Sequence, residues 1–352
     1  MSEKVSVIDR FLEMQKVNIP KKFVKATTKQ AKEIYFDEEI ETFGEEIMVE
    51  EFGKSRKKEY IALYEAIRTD SVLRGTITSC YVDEGTKIVN VAIVQKNFKV
   101  IIPLPCLIKL PEEVLEMQKE LSEERQLNFL KMMGNMRIGS VVDFMPRQIN
   151  EYEGICIASR LMALDRMKYL NYFPQVDRKI PAVRVGCVAQ GRVCYTKKAS
   201  MCVEVGGVEV IMRQVDISYL RISDVQDMYH PGDYVPVKVT AINFIKDEKG
   251  NVVDISIEAN IKEAMKNPQK ENFNNYSVNE SVRGTVTQRT SEGLFVRIKN
   301  THCDVKCAPE KDIDELSKAD VGDEVLIKII AKEEETYRLK GVIKWNYSKN
   351  SF

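Results

Sequence analysis

From residue 71 onward one texture recurs three times, and it constrains the fold more than any other feature. Short runs rich in Val, Ile and Thr alternate with Gly, Asn and Asp turns, the pattern of strands joined by tight connections. The third copy occupies 281–287, 292–298, 304–307, 321–329 and 339–343; the second 190–193, 201–210, 231–239 and 253–257; the first 74–77, 88–94, 98–102, 138–144 and 154–158. Each copy has a glycine in its first run, at Gly75, Gly191 and Gly284. Each opens its fourth run with a glycine and a small polar or acidic residue, Gly139-Ser140, Gly232-Asp233 and Gly322-Asp323. A unit repeated at this length is a separate small β structure with its own core.

The copies are not evenly spaced. In the first, 111–133 reads as one long helix with Pro111 at its first turn. The chain is accordingly divided into a helical N-terminal arm (1–69), a first β unit (70–158) with a helical insertion at about 111–135, a connecting helix (159–177), a second β unit (178–262), an Asn-rich linker (263–276) and a third β unit (277–347). In the arm, Val7, Ile8, Phe11, Leu12 and Gln15 fall at helix spacing, as do Tyr60, Leu63, Tyr64 and Ile67. Between them lie an acidic run at 37–51 and the basic patch Arg56-Lys57-Lys58. Two readings stand: a solvated arm, or a docking arm for a ribosome or another protein.

Charge and cysteine usage limit the function classes. Lys plus Arg and Asp plus Glu are both 53, so a basic surface must be local and offset elsewhere. No uninterrupted apolar run reaches the length of a membrane span, and the N-terminus does not read as a secretory signal. A cytoplasmic protein is expected, with no membrane partner. The 8 cysteines include no Cys-x-x-Cys pair, which points to reduced thiols. His302, Cys303 and Cys307 lack a second ligand pair for a closed zinc site, so no metal and no cofactor is assigned.

The third copy shows Gly-Thr-Val at 284–286, Gly-Leu-Phe-Val at 293–296 and Val-Gly-Asp-Glu-Val at 321–325; the second shows Gly-Arg-Val and Gly-Asp-Tyr-Val; the first ends in Ile157-Ala158-Ser159-Arg160. These features resemble the RNA-binding domain named after ribosomal protein S-one, a five-stranded OB barrel, over roughly residues 70 to 345. The resemblance implies a mainly β chain of tandem OB barrels with α insertions. It also implies binding of single-stranded RNA, such as mRNA, in translation or mRNA handling. Where the family usually has an aromatic before the second-strand Gly, this chain has Glu292; where it often has a strand-three His, Lys306 and Arg213 stand.

Strand alternation sorts the side chains themselves. If Leu294, Val296 and Ile298 point inward, Arg283, Phe295, Arg297 and Lys306 point outward, with Lys340 beside them. One aromatic among cations can stack a base while the cations follow phosphates. In the second copy Arg192 and Arg213 are placed outward, together with Cys202 and Glu204, while Lys197 and Lys198 occupy the loop before strand two. The first copy offers only Lys96, Lys99 and Phe98. His230 and His302 are the only histidines, and Gly53-Lys54-Ser55 lacks the first Gly of a phosphate loop because Met48 stands there. The chain is therefore read as non-enzymatic, the alternative being a protein-interaction or structural adaptor built on degenerate barrels.

Overall fold

The computed structural model describes residues 6–18, 54–94, 98–291, 293–301, 303–308 and 319–349. The acidic run at 37–51, Lys96, Glu292 and His302 lie outside them. Three β sheets follow one another along the chain. The first contains β1 (Leu73–Thr76), β2 (Ser79–Val82), β3 (Val89–Val94), β4 (Lys99–Pro103), β5 (Val141–Asn150) and β6 (Ile155–Ser159). The second contains β7 (Val188–Lys197), β8 (Ser200–Val205), β9 (Val208–Arg213), β10 (Tyr234–Lys246) and β11 (Val252–Asn260). The third contains β12 (Ser281–Thr290), β13 (Gly293–Ile298), β14 (Asp304–Ala308), β15 (Glu324–Glu333) and β16 (Arg338–Asn346).

The strand orders are one cyclic order written three ways. The third sheet closes as β12-β13-β14-β16-β15, with β14 parallel to β16. The second runs β11-β10-β7-β8-β9. This is the same circle opened between its third and fifth strands, which lie against one another without a ladder among the described residues. The first runs β1-β5-β6-β4-β3-β2. Its two ends are successive pieces of a single kinked first strand, so this circle also comes round on itself. The order first-second-third-fifth-fourth is that of the five-stranded Greek-key OB barrel. The chain is mainly β, with three tandem units of this kind.

The recurrent first-strand glycine has a steric cause. A Cβ on Gly284 would lie 2.6 Å from Val296 Cγ1 and 2.7 Å from the Arg297 carbonyl oxygen; on Gly191, 2.5 Å from Val203 Cγ1; on Gly75, 2.7 Å from Ile93 Cγ2. At each barrel the first strand passes too close to the inward residue of the second for any side chain. The glycine that opens the fourth strand serves a turn instead. Gly232 and Gly322 both have φ of 98°, a left-handed backbone that other residues adopt only at a cost.

The helices correct two expectations. Helices α1 (Val7–Asn18) and α2 (Lys54–Thr69) are not a solvated arm: Val7, Ile8, Phe11, Tyr60 and Leu63 belong to the core of the first barrel. Gln15, the polar member of the first stripe, is buried and its Nε2 donates to the Ile108 carbonyl at 3.2 Å. The insertion is not one helix. After the single-turn α3 (Leu104–Leu107) come α4 (Glu112–Lys119) and α5 (Glu123–Asn135), separated by a break at 120–122, with Glu123 and Glu124 in the first turn of α5. Gln126 accounts for the break, its Nε2 donating to the carbonyls of Lys119 and Leu121. Helix α6 (Arg160–Tyr172) begins at the Ser159 cap, whose hydroxyl accepts from the Met162 N–H, and runs between the first two barrels.

Two further short helices among the described residues are α7 (Gln214–Ile217) and α8 (Pro268–Asn272). Asn267 caps α8, accepting from the N–H groups of Gln269 and Lys270. The linker beyond it is anchored, because Phe273 and Tyr276 are in the core of the third barrel.

Gly284→Ala should destabilise the protein by about 1–3 kcal/mol through overpacking. Gly85→Ala, where the nearest atom is Asp83 Oδ1 at 3.6 Å, should change it by less than about 0.5 kcal/mol. Urea midpoints of the two variants check both.

Candidate functional site

Three register-paired residues on the outer face of the second barrel set its fate. Arg192 on β7 faces Glu204 on β8, which faces Glu209 on β9. This row points out of the barrel, as alternation requires, but not into solvent. Arg192 Nη2 lies 2.8 Å from Asp143 Oδ2 of the first barrel and 3.0 Å from Glu204 Oε1. Asp143 also accepts from Arg74 Nε at 2.7 Å. Arg160, at the start of α6, is 1% exposed; its Nη2 is 2.9 Å from Glu204 Oε2 and 3.0 Å from Glu209 Oε1, while its Nη1 donates to the Leu107 carbonyl. Arg137 Nη2 reaches Glu209 Oε2 at 3.5 Å. The result is an alternating chain, Arg74–Asp143–Arg192–Glu204–Arg160–Glu209–Arg137, which seals the first barrel to the second.

Its electrostatics follow from burial and pairing. Burial alone would raise the Glu209 carboxyl, but the guanidiniums of Arg160 and Arg137 outweigh it and hold the group at about 2. Of the three carboxylates in this network Glu209 is the most exposed, 26% against 4% for Asp143 and Glu204. It faces a cleft of about 730 Å³ between the insertion, α6 and the second barrel, walled by Phe129, Met132, Met133, Tyr169, Tyr195 and Ile211.

The Cys194 and Cys202 sulfurs and a Glu209 oxygen lie within 4.8 Å of one another, a spacing that could suit a metal. The surroundings do not. Arg160 Nη2 is 3.7 Å from Cys194 Sγ, and both guanidiniums already face the carboxylate. The hydrogen bond with Cys194, and then burial, raise the Cys202 thiol well above its usual value. A cation would meet two positive groups and a thiol reluctant to ionise.

The third barrel presents its own row. Gln288, Phe295, Lys306 and Lys340 are register partners across β12, β13, β14 and β16. Phe295 points outward yet is only 8% exposed. The cover comes from the second barrel, in the 218–224 segment. There Ile222 is buried in the second core while Arg221 and Ser223 on either side of it are exposed. Arg221 lays its guanidinium over the Phe295 ring, 3.9 Å from Cζ to the centroid. Its N–H donates to Asp304 Oδ2 at 2.7 Å, its carbonyl accepts from Arg297 Nη2 at 2.7 Å, and its Nη1 lies 3.4 Å from Gln288 Oε1. Ser223 Oγ donates to the Thr287 carbonyl at 2.9 Å.

These contacts sort the expected residues. Arg192 is corrected: it is 5% exposed and engaged in the internal chain, and Cys202 and Glu204 are buried with it. Phe295 is corrected from an exposed ring to a covered one. Arg297 is half-buried and pairs with Asp304, Nε to Oδ1 at 3.0 Å. Arg283 is exposed above the Tyr347 ring, and Lys340 is exposed and paired with Glu333. Lys306 is half-buried between Phe295 and Lys340.

Lys197, Lys198 and Arg213 are exposed and share one end of the second barrel, since Ser200 is the register partner of both Lys197 and Arg213. Gln214 Nε2 links the Lys198 and Ser223 carbonyls, which ties this end to the Arg221 segment. Sequence reasoning overlooked Arg221. Its available signal was a cation directly before an apolar residue in the loop preceding Gly232-Asp233. In the first barrel, Phe98 packs on Tyr60 and Lys99 lies over Tyr81.

No protein-family model matches the chain. In sequence it is similar to small ribosomal subunit protein bS1 of Coxiella burnetii (strain RSA 493 / Nine Mile phase I), 27% identical over 147 residues. The chain is a distant relative of bS1. The match takes in 40% of this chain and 25% of the Coxiella protein. Small ribosomal subunit protein bS1 of Staphylococcus saprophyticus is 24% identical over 123 residues, 35% of this chain and 29% of that protein. The chain thus spans between a quarter and a third of these relatives.

Among solved structures, it is similar to a multidomain protein with nucleic acid binding domains from Streptococcus pneumoniae TIGR4. That likeness is 13% identical over 80% of this chain and 74% of the other, with a TM-score of 0.18. It is also similar to Drosophila Unr CSD456, 12% identical over 78% and 96% of the two chains, with a TM-score of 0.15.

Arg160→Ala should cost about 3–5 kcal/mol, because it leaves buried carboxylates uncompensated; equilibrium urea unfolding measures it. Glu209 ionises at about 2 in the fold against an ordinary 4.5. Its contribution is therefore complete above pH 4.5 and lost as the pH falls from 4.5 towards 2. Urea midpoints at stepped pH should decline less steeply across that window in Glu209→Gln.

Proposed function

We propose that the chain is a non-enzymatic nucleic-acid-binding protein whose ligand is single-stranded RNA, bound along the junction of the second and third barrels. The observation that carries this reading is the continuity of cations across that junction. Lys197, Lys198 and Arg213 occupy the near end of the second barrel, Arg221 bridges, and Lys306 and Lys340 continue in register on the third. Arg283 adds to the same barrel.

A neutral chain that gathers cations on one side creates the local basic track that a phosphate backbone needs. The barrel order supports it, since the second and third strands of OB folds commonly carry oligonucleotides. So does the name of the sequence relatives, a ribosomal small-subunit protein. Work in the cytoplasm, in translation or mRNA handling, is the setting that name suggests.

A second reading has its own observation. The outer face of the second barrel is spent on docking the first, as in an adaptor that binds no RNA. Fluorescence anisotropy of a labelled, unstructured RNA separates the two. Binding with a dissociation constant of about micromolar or tighter should weaken as salt rises, with a log–log slope of about 0.7 per phosphate neutralised. Charge reversal at both Lys306 and Lys340 should weaken it by about tenfold or more and lower the slope by about 1–2. Absence of salt-dependent binding at low ionic strength would leave the adaptor.

A further inference from the structure

The ring that alternation offers to a base cannot be reached by one. Phe295 is 8% exposed, and what covers it is the guanidinium of Arg221. We propose that Arg221 and Phe295 together form a two-layer stacking platform for one unpaired nucleobase, a composite site that exists only while the second and third barrels are docked. The proposal rests on the RNA-binding reading and deepens it.

Four features support the platform. A guanidinium is planar and delocalised, and bases of single-stranded RNA stack on arginine planes as they do on aromatic rings. Arg221 is exposed while the ring beneath it is buried, so the layer that meets solvent is the arginine. Secondly, the layer is fixed before any ligand arrives. The backbone of Arg221 is held at both ends, by the Asp304 carboxylate and by Arg297, and Gln288 meets its side chain. Ile222 roots the segment in the second core and Ser223 ties it to β12. Little side-chain entropy remains to be lost on binding.

Thirdly, the charge is not spent. The Arg221 guanidinium has no carboxylate partner among the described residues; Asp304 gives its oxygens to Arg297 and to the Arg221 N–H. Arg297 is thereby a positioning residue rather than an RNA contact. Finally, Lys306 and Lys340 stand in the same transverse row as Phe295, where the phosphates flanking a stacked base would run. The ligand class follows: one unpaired base of any identity, since every base has a π-face, with its neighbouring phosphates.

The test uses the full chain and a single-stranded RNA containing 2-aminopurine, whose fluorescence falls on stacking. Wild type should bind and quench. Arg221→Lys keeps the charge and loses the plane; it should retain the salt slope, lose most of the quenching and bind about five- to a hundredfold more weakly. Arg221→Ala should lose the quenching and also lower the slope. Circular dichroism confirms that the variants are folded.

Equal or tighter binding by Arg221→Ala, while reversal of Lys306 and Lys340 still weakens binding, overturns the platform and leaves the RNA reading standing. Tighter binding would identify the 218–224 segment as a cover over Phe295. Equal quenching by wild type and Arg221→Lys overturns the platform as well. Failure of the wild type to bind overturns both.

Discussion

The alternating chain of charges from Arg74 to Arg137 is the constraint on which the placement of the other parts depends. Arg160 is wholly buried, and Glu204 and Glu209, reaching it from neighbouring strands of the second barrel, offset the cost of taking its charge out of water. Those carboxylates lie where they do because Arg192 is in register with them and is claimed by Asp143 of the first barrel. Such a chain is no cheap source of stability. The Nε atoms of Arg137, Arg160 and Arg192 are buried without a hydrogen-bond partner, and desolvating charges is costly even when they are paired. What the chain supplies is discrimination. A slip of one residue along β8 would bring Val203 or Val205 to Arg192 and leave several charges unpaired, so a single docking geometry is strongly preferred.

One habit recurs along the molecule. The face formed by the first three strands of each barrel is covered by something nearer the N-terminus or inserted from within. In the first barrel the cover is α5, lying on β2 and β3, where Gly134 is so close that a Cβ would come within 2.6 Å of Cys80 Sγ. In the second it is the first barrel with α6. In the third it is the 218–224 segment, and only there is the cover a thin one, a single arginine layer with lysines beside it. The three covers differ in chemistry: apolar packing in the first, buried ion pairs in the second, exposed hydrogen bonds in the third.

Much of the fold was legible because it is written in local sterics. Gly75, Gly191 and Gly284 mark the crowded first strand, Gly232 and Gly322 the turn into the fourth, and alternation assigned Leu294, Val296 and Ile298 to the third core, where they are. Alternation was right about Phe295 and Arg192 as well, in the sense that both leave their own barrel. It could not tell outward from exposed, because that depends on a neighbour hundreds of atoms away along the chain.

A clue was present nonetheless. Arg192, Glu204 and Glu209 fall in cross-strand register, two carboxylates side by side that need a further cation, and Arg160 stands at the junction between β6 and α6. Such features fit a buried polar interface better than a solvated face. The break in the insertion was signalled by Ser122-Glu123-Glu124, a helix-start sequence in the middle of what periodicity alone reads as continuous. The amphipathic stripes of α1 and α2 were visible, but a stripe shows that a helix has a partner without saying which.

The unlike chemistry of the two junctions divides the chain into unequal unfolding units. The first and second barrels share buried charges, so opening one exposes arginines and carboxylates of the other. Neither can melt alone without stranding its neighbour's ions in a half-dry interface, and the two form one cooperative block. The third barrel has its own closed sheet and core, and meets the second through exposed hydrogen bonds and the single Arg221–Phe295 contact, with no buried ion network among the described residues. It can undock, or melt, while the block behind it remains intact.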